Sequence, residues 1–371
     1  MVESVHRPTK IHINQAAIRK NLAMMRTVTP QQMAVFAVVK ANGYGHGAVP
    51  VAKIAEQSGV QGFCVATIDE GIELREAGIT LPILILGLVE TSALRLVSDY
   101  QLAIPLATNE WLAEALTYYQ ATPWTQPISL HIALETGMGR IGFQELQAVQ
   151  QAIVTIQEHQ GFLFEGIFTH FATADQVDTT DFEQQVHRFH EFLAVLPKQP
   201  KYIHTANSAT QIWHEVQGNL VRYGVAMYGL NPSGTDLPLA YELEPALSLT
   251  SKLVQVKQVP KGSGIGYGHT YIAHEAEWIG TIPIGYADGY VRRLQGFHVL
   301  IAGEYCEIVG RVCMDQIMVK LPRAMQVGAK VTLVGKDGEY EITLQDMASF
   351  IGTIHYEVAC LFSARLPRIY E

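Results

Sequence analysis

Eight short apolar runs recur between residue 34 and about residue 230, and segments with helical spacing of apolar residues separate them. Such runs, bounded by polar turn residues, are typical of strands that are buried on both faces of a parallel sheet. The runs cover residues 34–40, 62–67, 82–87, 102–108, 128–135, 164–171, 202–207 and 220–228. The pattern therefore predicts eight parallel strands.

The intervening segments predict helices, and several of them begin with Ser, Thr or Asp, which are common N-cap residues. They cover residues 48–58, 69–77, 91–97, 108–119, 144–160, 178–196 and 208–216. Eight strand–helix units favour an α/β fold, a (β/α)8 barrel of the TIM type. The alternative is an open doubly wound sheet. The count of eight, and the polar residues at the strand ends, favour the barrel.

The pattern changes after Pro232-Ser233-Gly234. Alternating apolar and polar residues, interrupted by Gly and Pro, predict a C-terminal, mostly antiparallel β domain. Its strands are expected at residues 247–258, 277–283, 298–301, 304–309, 317–319 and 330–334. The segment 10–13 also alternates and is expected to join this domain. We predict a barrel domain over 13–238 and a β domain over 239–371, with 1–12 added to it.

Composition narrows the class of protein. The chain has 371 residues, of which 48% are hydrophobic and 16% charged, and its net charge is −9. These values are typical of a soluble globular protein, and nothing in the charge pattern favours nucleic acid. No signal peptide or run of 18 apolar residues is present, so we expect no membrane partner. The four cysteines form neither a disulfide framework nor a metal motif, which predicts a cytoplasmic protein without a metal site.

Lys40 ends the first apolar run, where barrel enzymes carry their chemistry. A desolvated lysine loses its proton readily and can form a Schiff base. The alternative is a surface lysine whose stem passes the strand end. The glycine-rich segment that follows, with Tyr44 and His46, favours a functional role.

Other polar residues follow the later strands. They are Glu135, Thr136, Arg140, His170, His204, Asn207, Ser208, Arg222 and Gly224. Ser208 begins a predicted helix and Gly224 permits close backbone approach, so both suit a phosphate group. A phosphate site beside a lysine fits pyridoxal 5'-phosphate. The alternatives are a simple N-cap for Ser208, a turn for Gly224, and hydrogen-bonded core histidines for His170 and His204.

Several motifs, in a fixed order along both predicted domains, resemble those of the alanine racemases. They are AVVKANGYGHG (37–47), ETGMGRIG (135–142), THFA (169–172), HTANS (204–208), VRYGVAMYG (221–229), GYG (266–268), IGYADG (284–289), GRVCMDQ (310–316) and YEV (356–358). The set is far more specific than any single glycine motif. The resemblance implies a racemase that interconverts L- and D-alanine and supplies D-alanine for peptidoglycan.

The resemblance also implies roles around pyridoxal phosphate. Lys40 would hold the cofactor as an aldimine and then act as a base. His170 would pack on the cofactor ring, Arg222 would meet the pyridine nitrogen, and His204 would hold Arg222. The phosphate would be bound by Tyr44, Ser208, Gly224, Val225 and Tyr356.

Racemisation requires a base on each face of the substrate. The resemblance implies that Tyr267 of the partner subunit is the second base, so the active sites of a homodimer would be shared. The substrate carboxylate would meet Arg140 and the backbone N–H of Met314. Tyr286 and Asp315, in two of the motifs, are further candidates for substrate binding.

Ala133 departs from the family pattern. Many alanine racemases have a carbamylated lysine seven residues before the arginine that matches Arg140, and here that position is alanine. Arg140 is expected to be largely buried, and an unpaired buried charge is unfavourable. We expect a bound chloride near Arg140 and Ala133. The alternative is that Glu135 substitutes for the carbamate.

Other functions remain open at this point. The chain could be a racemase of another small amino acid such as serine, a barrel-type amino-acid decarboxylase, or a non-catalytic pyridoxal-phosphate carrier. The motifs around Tyr267 and Met314 disfavour the decarboxylase, and the predicted β domain disfavours the carrier. A metal hydrolase that uses His131, His170 and His204 is a further alternative, although their spacing fits no ligand motif.

Overall fold

The computed structural model describes residues 2–371, which form two compact units. The first unit, here the barrel unit, comprises Ile18–Gly43 and Ala48–Glu244. The second, the β unit, comprises residues 2–17 and 44–47 together with Pro245–Glu371. The predicted boundary at residues 238 and 239 stays a prediction.

Eight parallel strands form the barrel unit, as the sequence predicts. They are β2 (Ala34–Val38), β3 (Gly62–Val65), β4 (Ile83–Ile85), β5 (Ile104–Leu106), β6 (Ile128–Ala133), β7 (Phe162–Phe168), β8 (Tyr202–His204) and β9 (Leu220–Tyr223). They pair in the orders β4-β3-β2-β9 and β5-β6-β7-β8. A parallel bridge from Leu84 to Ala103 joins β4 to β5, and the N–H of Asn219 donates to Ile203 O at 2.8 Å between β8 and β9. The sheet is therefore closed, and the open-sheet alternative is wrong.

Helices connect the strands and cover the outside of the barrel. They cover Gln15–Val28, Ala48–Gln57, Ile68–Glu76, Leu94–Asp99, Asn109–Ala121, Leu146–Gln157, Thr180–Ala194 and Ser208–Trp213. The side chains of Thr67, Thr108 and Asn207 cap three of them by accepting backbone N–H groups. The helix Gln15–Val28 was not predicted, although Ile18, Leu22 and Met25 are buried at helical spacing.

The β unit contains a larger and a smaller antiparallel sheet. Its strands are β1 (Lys10–Ile13), β10 (Leu247–Lys252), β11 (Gln255–Val259), β12 (Gly264–Ile265), β13 (Tyr271–Ile272), β14 (Glu277–Ile282), β15 (His298–Ile301), β16 (Glu304–Glu307), β17 (Ile317–Leu321), β18 (Lys330–Asp337), β19 (Tyr340–Ile342) and β20 (Arg368–Tyr370). The larger sheet has the order β16-β15-β18-β10-β1-β20, with β19 on β18, and the smaller has β11-β14-β17. The expected membership of segment 10–13 is confirmed, because β1 pairs with β10 and β20.

Two features of the β unit differ from the prediction. The strand expected over 247–258 is two strands, β10 and β11, which lie in different sheets. Two helices, Leu344–Ile351 and His355–Leu361, follow the last predicted strand and were not predicted. Among residues 2–371, no helix is long and apolar enough to cross a membrane.

Candidate active site

Lys40 lies two residues after β2, at the carboxyl end of a barrel strand. Burial lowers the pKa of its ammonium group, and the nearby Arg140 and Arg222 lower the pKa further. Cys64 and Glu70 act in the opposite direction. The net effect is a lysine that loses its proton more readily than a lysine in water, as a nucleophile or base requires.

The backbone after Lys40 is left-handed for several residues. The φ angles are 52° for Ala41, 53° for Asn42, 60° for Gly43 and 52° for Tyr44. Only glycine adopts this conformation freely, so the other three residues are strained. Hydrogen bonds hold the turn, because Gly43 N–H donates to Val39 O at 2.8 Å and Ala48 N–H donates to Asn42 Oδ1 at 2.9 Å.

Glu70 is a further support of this turn that the sequence reasoning missed. Its Oε1 accepts the N–H of Ala41 at 2.7 Å, and its Oε2 accepts the N–H of Ala66 at 2.7 Å. Ala66 follows β3, so one carboxylate ties the ends of two neighbouring strands together. The pattern Thr67-x-x-Glu70, with both residues at the start of a helix, was the available signal.

Arg222 is buried in β9 and is surrounded by hydrogen-bond acceptors. One terminal nitrogen donates to His204 Nδ1 at 2.6 Å, and the other donates to Thr169 O and Thr205 O, both at 3.0 Å. Burial, with a smaller effect from Arg140, lowers the pKa of Arg222 to about 10, and Cys64 opposes this. Arg222 is therefore still charged at neutral pH, and its contact with His204 is the one expected.

His170 follows β7 and contacts Arg222, which donates to its Nδ1 at 3.2 Å. Burial lowers the pKa of the His170 ring well below its usual value, and Arg222, Arg140 and Lys40 lower it further. The ring is therefore neutral. Because Nδ1 accepts, the proton lies on Nε2. Both His170 and His204 are hydrogen-bonded to Arg222, so the alternative of hydrogen-bonded core histidines agrees with these contacts, and a role at the cofactor stays a prediction.

Ser208 and Gly224 are adjacent in space. The Ser208 hydroxyl accepts the N–H of Gly224 at 3.0 Å and that of Ala226 at 3.4 Å. The alternative of a simple N-cap for Ser208 is wrong, because Asn207 caps this helix through a 2.9 Å bond from Thr210 N–H. Val225 is buried at the start of a short 3-10 helix, Val225–Tyr228. Hydroxyl and backbone N–H groups are thus brought to one place, as a phosphate site requires.

Arg140 differs from the expectation. It is exposed rather than largely buried, and no carboxylate of the described residues lies within 4.0 Å of its guanidinium. Glu135 does not offset this charge directly, because its carboxylate accepts the backbone N–H groups of Gly137 at 2.6 Å and Arg140 at 2.9 Å. Burial raises the pKa of the Glu135 carboxyl group, but the backbone hydrogen bonds outweigh this effect and hold that pKa below its usual value. Ala133, at the end of β6, is buried.

The β unit brings Tyr267, Met314 and Asp315 to one cavity of 620 Å³. Tyr267 is 71% exposed and Met314 is 52% exposed. Tyr286 lies beside them, because its N–H donates to Cys313 O at 3.1 Å. No described residue accepts the N–H of Met314. These are features of a surface that is available to a ligand or to another chain.

Tyr44 and Tyr356, both in the β unit, pack with their ring centroids 6.2 Å apart. The candidate histidines do not form a metal centre in residues 2–371, where no group of three His, Cys, Asp or Glu side chains is placed to hold a metal ion. His131 and His204 instead bond to one another at 2.8 Å.

Comparisons with known proteins agree with this geometry. The model of the alanine racemase N-terminal domain matches residues 13–232, and that of the C-terminal domain matches residues 246–370. An alanine racemase from Levilactobacillus brevis is 52% identical over 372 aligned residues, which cover 100% of each chain. The crystal structure of alanine racemase from E. faecalis superimposes with a TM-score of 0.97 at 56% identity, over 100% of both chains.

A histidine racemase from Leuconostoc mesenteroides subsp. sake is also similar. Its structure has a TM-score of 0.93 at 32% identity and covers 100% of this chain and 99% of that one. Both family models match, and they span most of the sequence. The chain therefore belongs to the alanine racemase family of pyridoxal-phosphate-dependent isomerases.

Proposed function

We propose that the protein interconverts L-alanine and D-alanine by a two-base mechanism that uses pyridoxal 5'-phosphate. The observation that carries the proposal is the position of Lys40 at a barrel strand end, with a pKa lowered by burial and by two arginines. In this family, the function that such a lysine serves is amino-acid racemisation. The named relatives of high identity favour alanine as the substrate.

The donor set of the barrel unit fits this cofactor. Arg140 and Arg222 lie close enough to Lys40 to lower its pKa, and a site with two guanidinium groups suits an anionic ligand. The Ser208 hydroxyl, which accepts the N–H of Gly224, has its own O–H to donate to a phosphate oxygen. The proposed cofactor residues are Lys40, Tyr44, His170, His204, Ser208, Arg222, Gly224, Val225 and Tyr356.

Two side chains move the proton in this proposal. When bound, the cofactor serves as an electron sink that makes the Cα proton of an attached amino acid acidic. Lys40 Nζ, as a neutral amine, takes or returns this proton on one face. The hydroxyl of Tyr267 of the partner subunit does so on the opposite face, so a proton removed on one side is replaced on the other.

Arg222 would face the ring nitrogen of the cofactor. A guanidinium donates hydrogen bonds but does not give up its proton at neutral pH, since its pKa stays near 10 even in this buried position. Arg222 would therefore donate a hydrogen bond to that nitrogen without protonating it, and this would favour return of the proton to Cα over transamination.

The substrate carboxylate would be bound by Arg140 and by the N–H of Met314, with Tyr286 and Asp315 nearby. Met314 and Tyr267 would come from the partner subunit, so the active form would be a homodimer with shared sites. The free N–H of Met314 and the exposure of Tyr267 support this assignment. We further propose that the enzyme acts in the cytoplasm and supplies D-alanine for peptidoglycan.

The test is an assay of purified protein with L- and D-alanine, and with serine and histidine as competing substrates. A coupled D-amino-acid oxidase reaction would measure the product. Alanine should be turned over fastest, and Lys40→Ala should abolish racemisation, whereas the exposed Lys53→Ala should not. Borohydride should fix the cofactor to Lys40 in the wild type and in Lys53→Ala, and no such adduct should form in Lys40→Ala. If serine is turned over faster than alanine, serine and not alanine is the substrate. Absence of racemisation despite bound cofactor would favour a carrier role.

A further inference from the structure

His204 has a second hydrogen-bond partner besides Arg222. Its Nε2 lies 2.8 Å from Nδ1 of His131, and both rings are buried. The other nitrogen of His131, Nε2, lies 3.4 Å from Oε2 of Glu165. Four side chains of the barrel unit, from Arg222 through His204 and His131 to Glu165, thus form one continuous line of hydrogen bonds, here called the Glu165 chain.

Arg222 and Glu165, the two ends of the Glu165 chain, fix which atom donates in each of its hydrogen bonds. Arginine can only donate and an ionised carboxylate can only accept. His204 Nδ1 must therefore accept from Arg222, so the His204 proton lies on Nε2 and is donated to His131 Nδ1. His131 then carries its own proton on Nε2 and donates it to Glu165.

The charge states of the four groups agree with this direction. Burial lowers the pKa of both histidines, and Arg222 lowers them further, so each ring is neutral and has one proton to donate. Burial opposes ionisation of Glu165, but the hydrogen bond from His131 and the nearby charge of Lys201 hold its pKa below the usual value. A positive charge at one end and a negative charge at the other are therefore joined by two neutral rings.

The backbone around Glu165 is built to admit this arrangement. The pairing of β6 with β7 shifts register here, because Leu130 is opposite Phe164 and His131 is opposite Gly166. Glu165 is therefore the extra residue of a β-bulge, and a bulge changes the direction of a side chain. At Gly166, a Cβ atom would lie 2.4 Å from Nδ1 of His131, so only glycine leaves room for the ring.

Aromatic neighbours fix the orientation of both imidazoles. The ring of Tyr202 stacks on His131 at 5.8 Å with an interplanar angle of 23°. The ring of Phe168 stacks on His204 at 5.0 Å and 8°. Because the rings cannot turn freely, the nitrogens remain in line between Arg222 and Glu165.

We infer that Glu165 is the counter-ion of Arg222 and a positioning residue for the racemase reaction, and that it acts through His131 and His204. No carboxylate of the described residues lies within 4.0 Å of the buried Arg222, so its charge has no direct partner. With Glu165 as the final acceptor, His204 Nδ1 is held as the acceptor for the Arg222 N–H. If the direction of every bond in the Glu165 chain were reversed, His204 Nδ1 would carry a proton that faces an Arg222 N–H, and the hydrogen bond between them would be lost. The inference rests on the proposed contact of Arg222 with the cofactor.

The first test is the position of the ring protons in the full-length protein as purified. Nitrogen-15 NMR of histidine-labelled protein distinguishes protonated from unprotonated ring nitrogens, and replacement of single histidines assigns the signals. Both His131 and His204 should have a protonated Nε2 and an unprotonated Nδ1 at neutral pH. A protonated Nδ1 on either ring would overturn the inference, whatever the activity of the protein.

The second test compares three variants at Glu165 and Lys201. Glu165→Ala removes the final acceptor, so the fixed Nε2 protonation of His131 should be lost and kcat should fall about tenfold to a hundredfold, with KM for alanine little changed. Glu165→Gln keeps an acceptor oxygen, so part of the fixed Nε2 protonation of His131 and part of the wild-type kcat should be retained. Lys201→Met is the control, because it removes the other partner of Glu165, 3.3 Å away, and leaves the chain intact.

The two tests separate this inference from the proposed function. Wild-type ring protonation in Glu165→Ala would overturn the inference even if the enzyme racemises alanine. If both rings carry the expected protons but the protein racemises no amino acid, the Glu165 chain is supported and the proposed function is refuted. If Glu165→Ala fails to fold, Glu165→Gln and the wild-type spectrum still decide.

Discussion

Oε1 of Glu70 accepts the backbone N–H of Ala41, the residue after Lys40, at 2.7 Å, while its other oxygen accepts the N–H of Ala66 at the same distance. Hydrogen bonds to a charged group contribute about 1.5–3 kcal/mol each. That is comparable with the strain of a non-glycine residue in left-handed conformation, about 1–3 kcal/mol. Glu70 therefore offsets the strain at Ala41 and fixes the backbone that carries Lys40.

Glu70→Ala should affect both the position and the pKa of Lys40. Loss of the two bonds loosens the turn, and a misplaced base should reduce kcat by about tenfold or more. Glu70 raises the pKa of Lys40, so its removal should lower that pKa. A lower pKa means that the neutral amine persists to lower pH, and the acid limb of the kcat/KM profile should move in that direction.

Glu73→Ala is the matched control, because Glu73 is an exposed glutamate on the same helix, Ile68–Glu76. Its profile should match that of the wild type. An unchanged pH profile and rate in Glu70→Ala would show that the Glu70 carboxylate affects neither the position nor the pKa of Lys40.

Tyr267→Phe should separate the two proposed bases. Without the hydroxyl, removal of the Cα proton from L-alanine should slow by several orders of magnitude. Lys40 should still exchange the α-proton of D-alanine with solvent, because it works on the other face. Exchange in deuterated water, followed separately for each enantiomer by NMR, measures this difference.

Tyr305→Phe, another exposed tyrosine of the β unit, provides the control for this experiment. It should exchange both enantiomers as the wild type does. Equal loss of exchange from L- and D-alanine in Tyr267→Phe would argue against the assignment of one base to each face.

The sequence predicted the barrel well because most of its strands are buried on both faces and so form apolar runs. The strand ends then located Lys40, His170 and Arg222 directly. Glu70 and Glu165 were missed, because their roles depend on bonds to Ala41 and His131, which are 29 and 34 residues away in sequence. Apolar periodicity encodes neither contact, and the pattern Thr67-x-x-Glu70 indicates the start of a helix but not the bond to Ala41.

The bulge at Glu165 illustrates the same limit. Alternation along β7 assumes regular pairing, and one extra residue changes the face of every side chain beyond it. The expected burial of Arg140 was wrong for a related reason. A motif identifies a candidate substrate-binding residue, but the burial of its side chain depends on which other groups surround it.

Mixed dimers should test whether active sites are shared. Lys40→Ala and Tyr267→Phe homodimers should each be nearly inactive. After subunit exchange, about half of the dimers are hybrids, and each hybrid carries one site with both bases intact. The mixture should therefore recover about a quarter of wild-type activity. Light-scattering and mass measurements on differently tagged subunits verify the exchange, and no recovery after exchange would refute a shared site.

We predict that the exposed Arg140 binds a small anion, because the described residues supply no direct counter-ion for it. Its guanidinium has no carboxylate within 4.0 Å, and the carboxylate of Glu135 is already bonded to backbone N–H groups. Ala133 has no side-chain amine to carbamylate. A small anion held by Arg140 would orient the guanidinium toward the substrate carboxylate, and correct orientation lowers the barrier of the following proton transfer.

Activity should accordingly rise with chloride at constant ionic strength, with gluconate as the replacing anion. The increase should saturate, because a bound ion fills one site. Chloride should lower KM for alanine more than it raises kcat, because the proposed role of Arg140 is to bind the substrate carboxylate. Ala133→Lys should abolish the response to chloride and make the rate depend on bicarbonate instead, since a carbamylated lysine would supply a fixed negative charge. Ala133→Leu, which adds bulk without charge, should weaken the response to chloride and gain none to bicarbonate. A rate that is independent of halide in the wild type would refute the anion and leave Glu135, acting through the backbone of its own turn, as the support of Arg140.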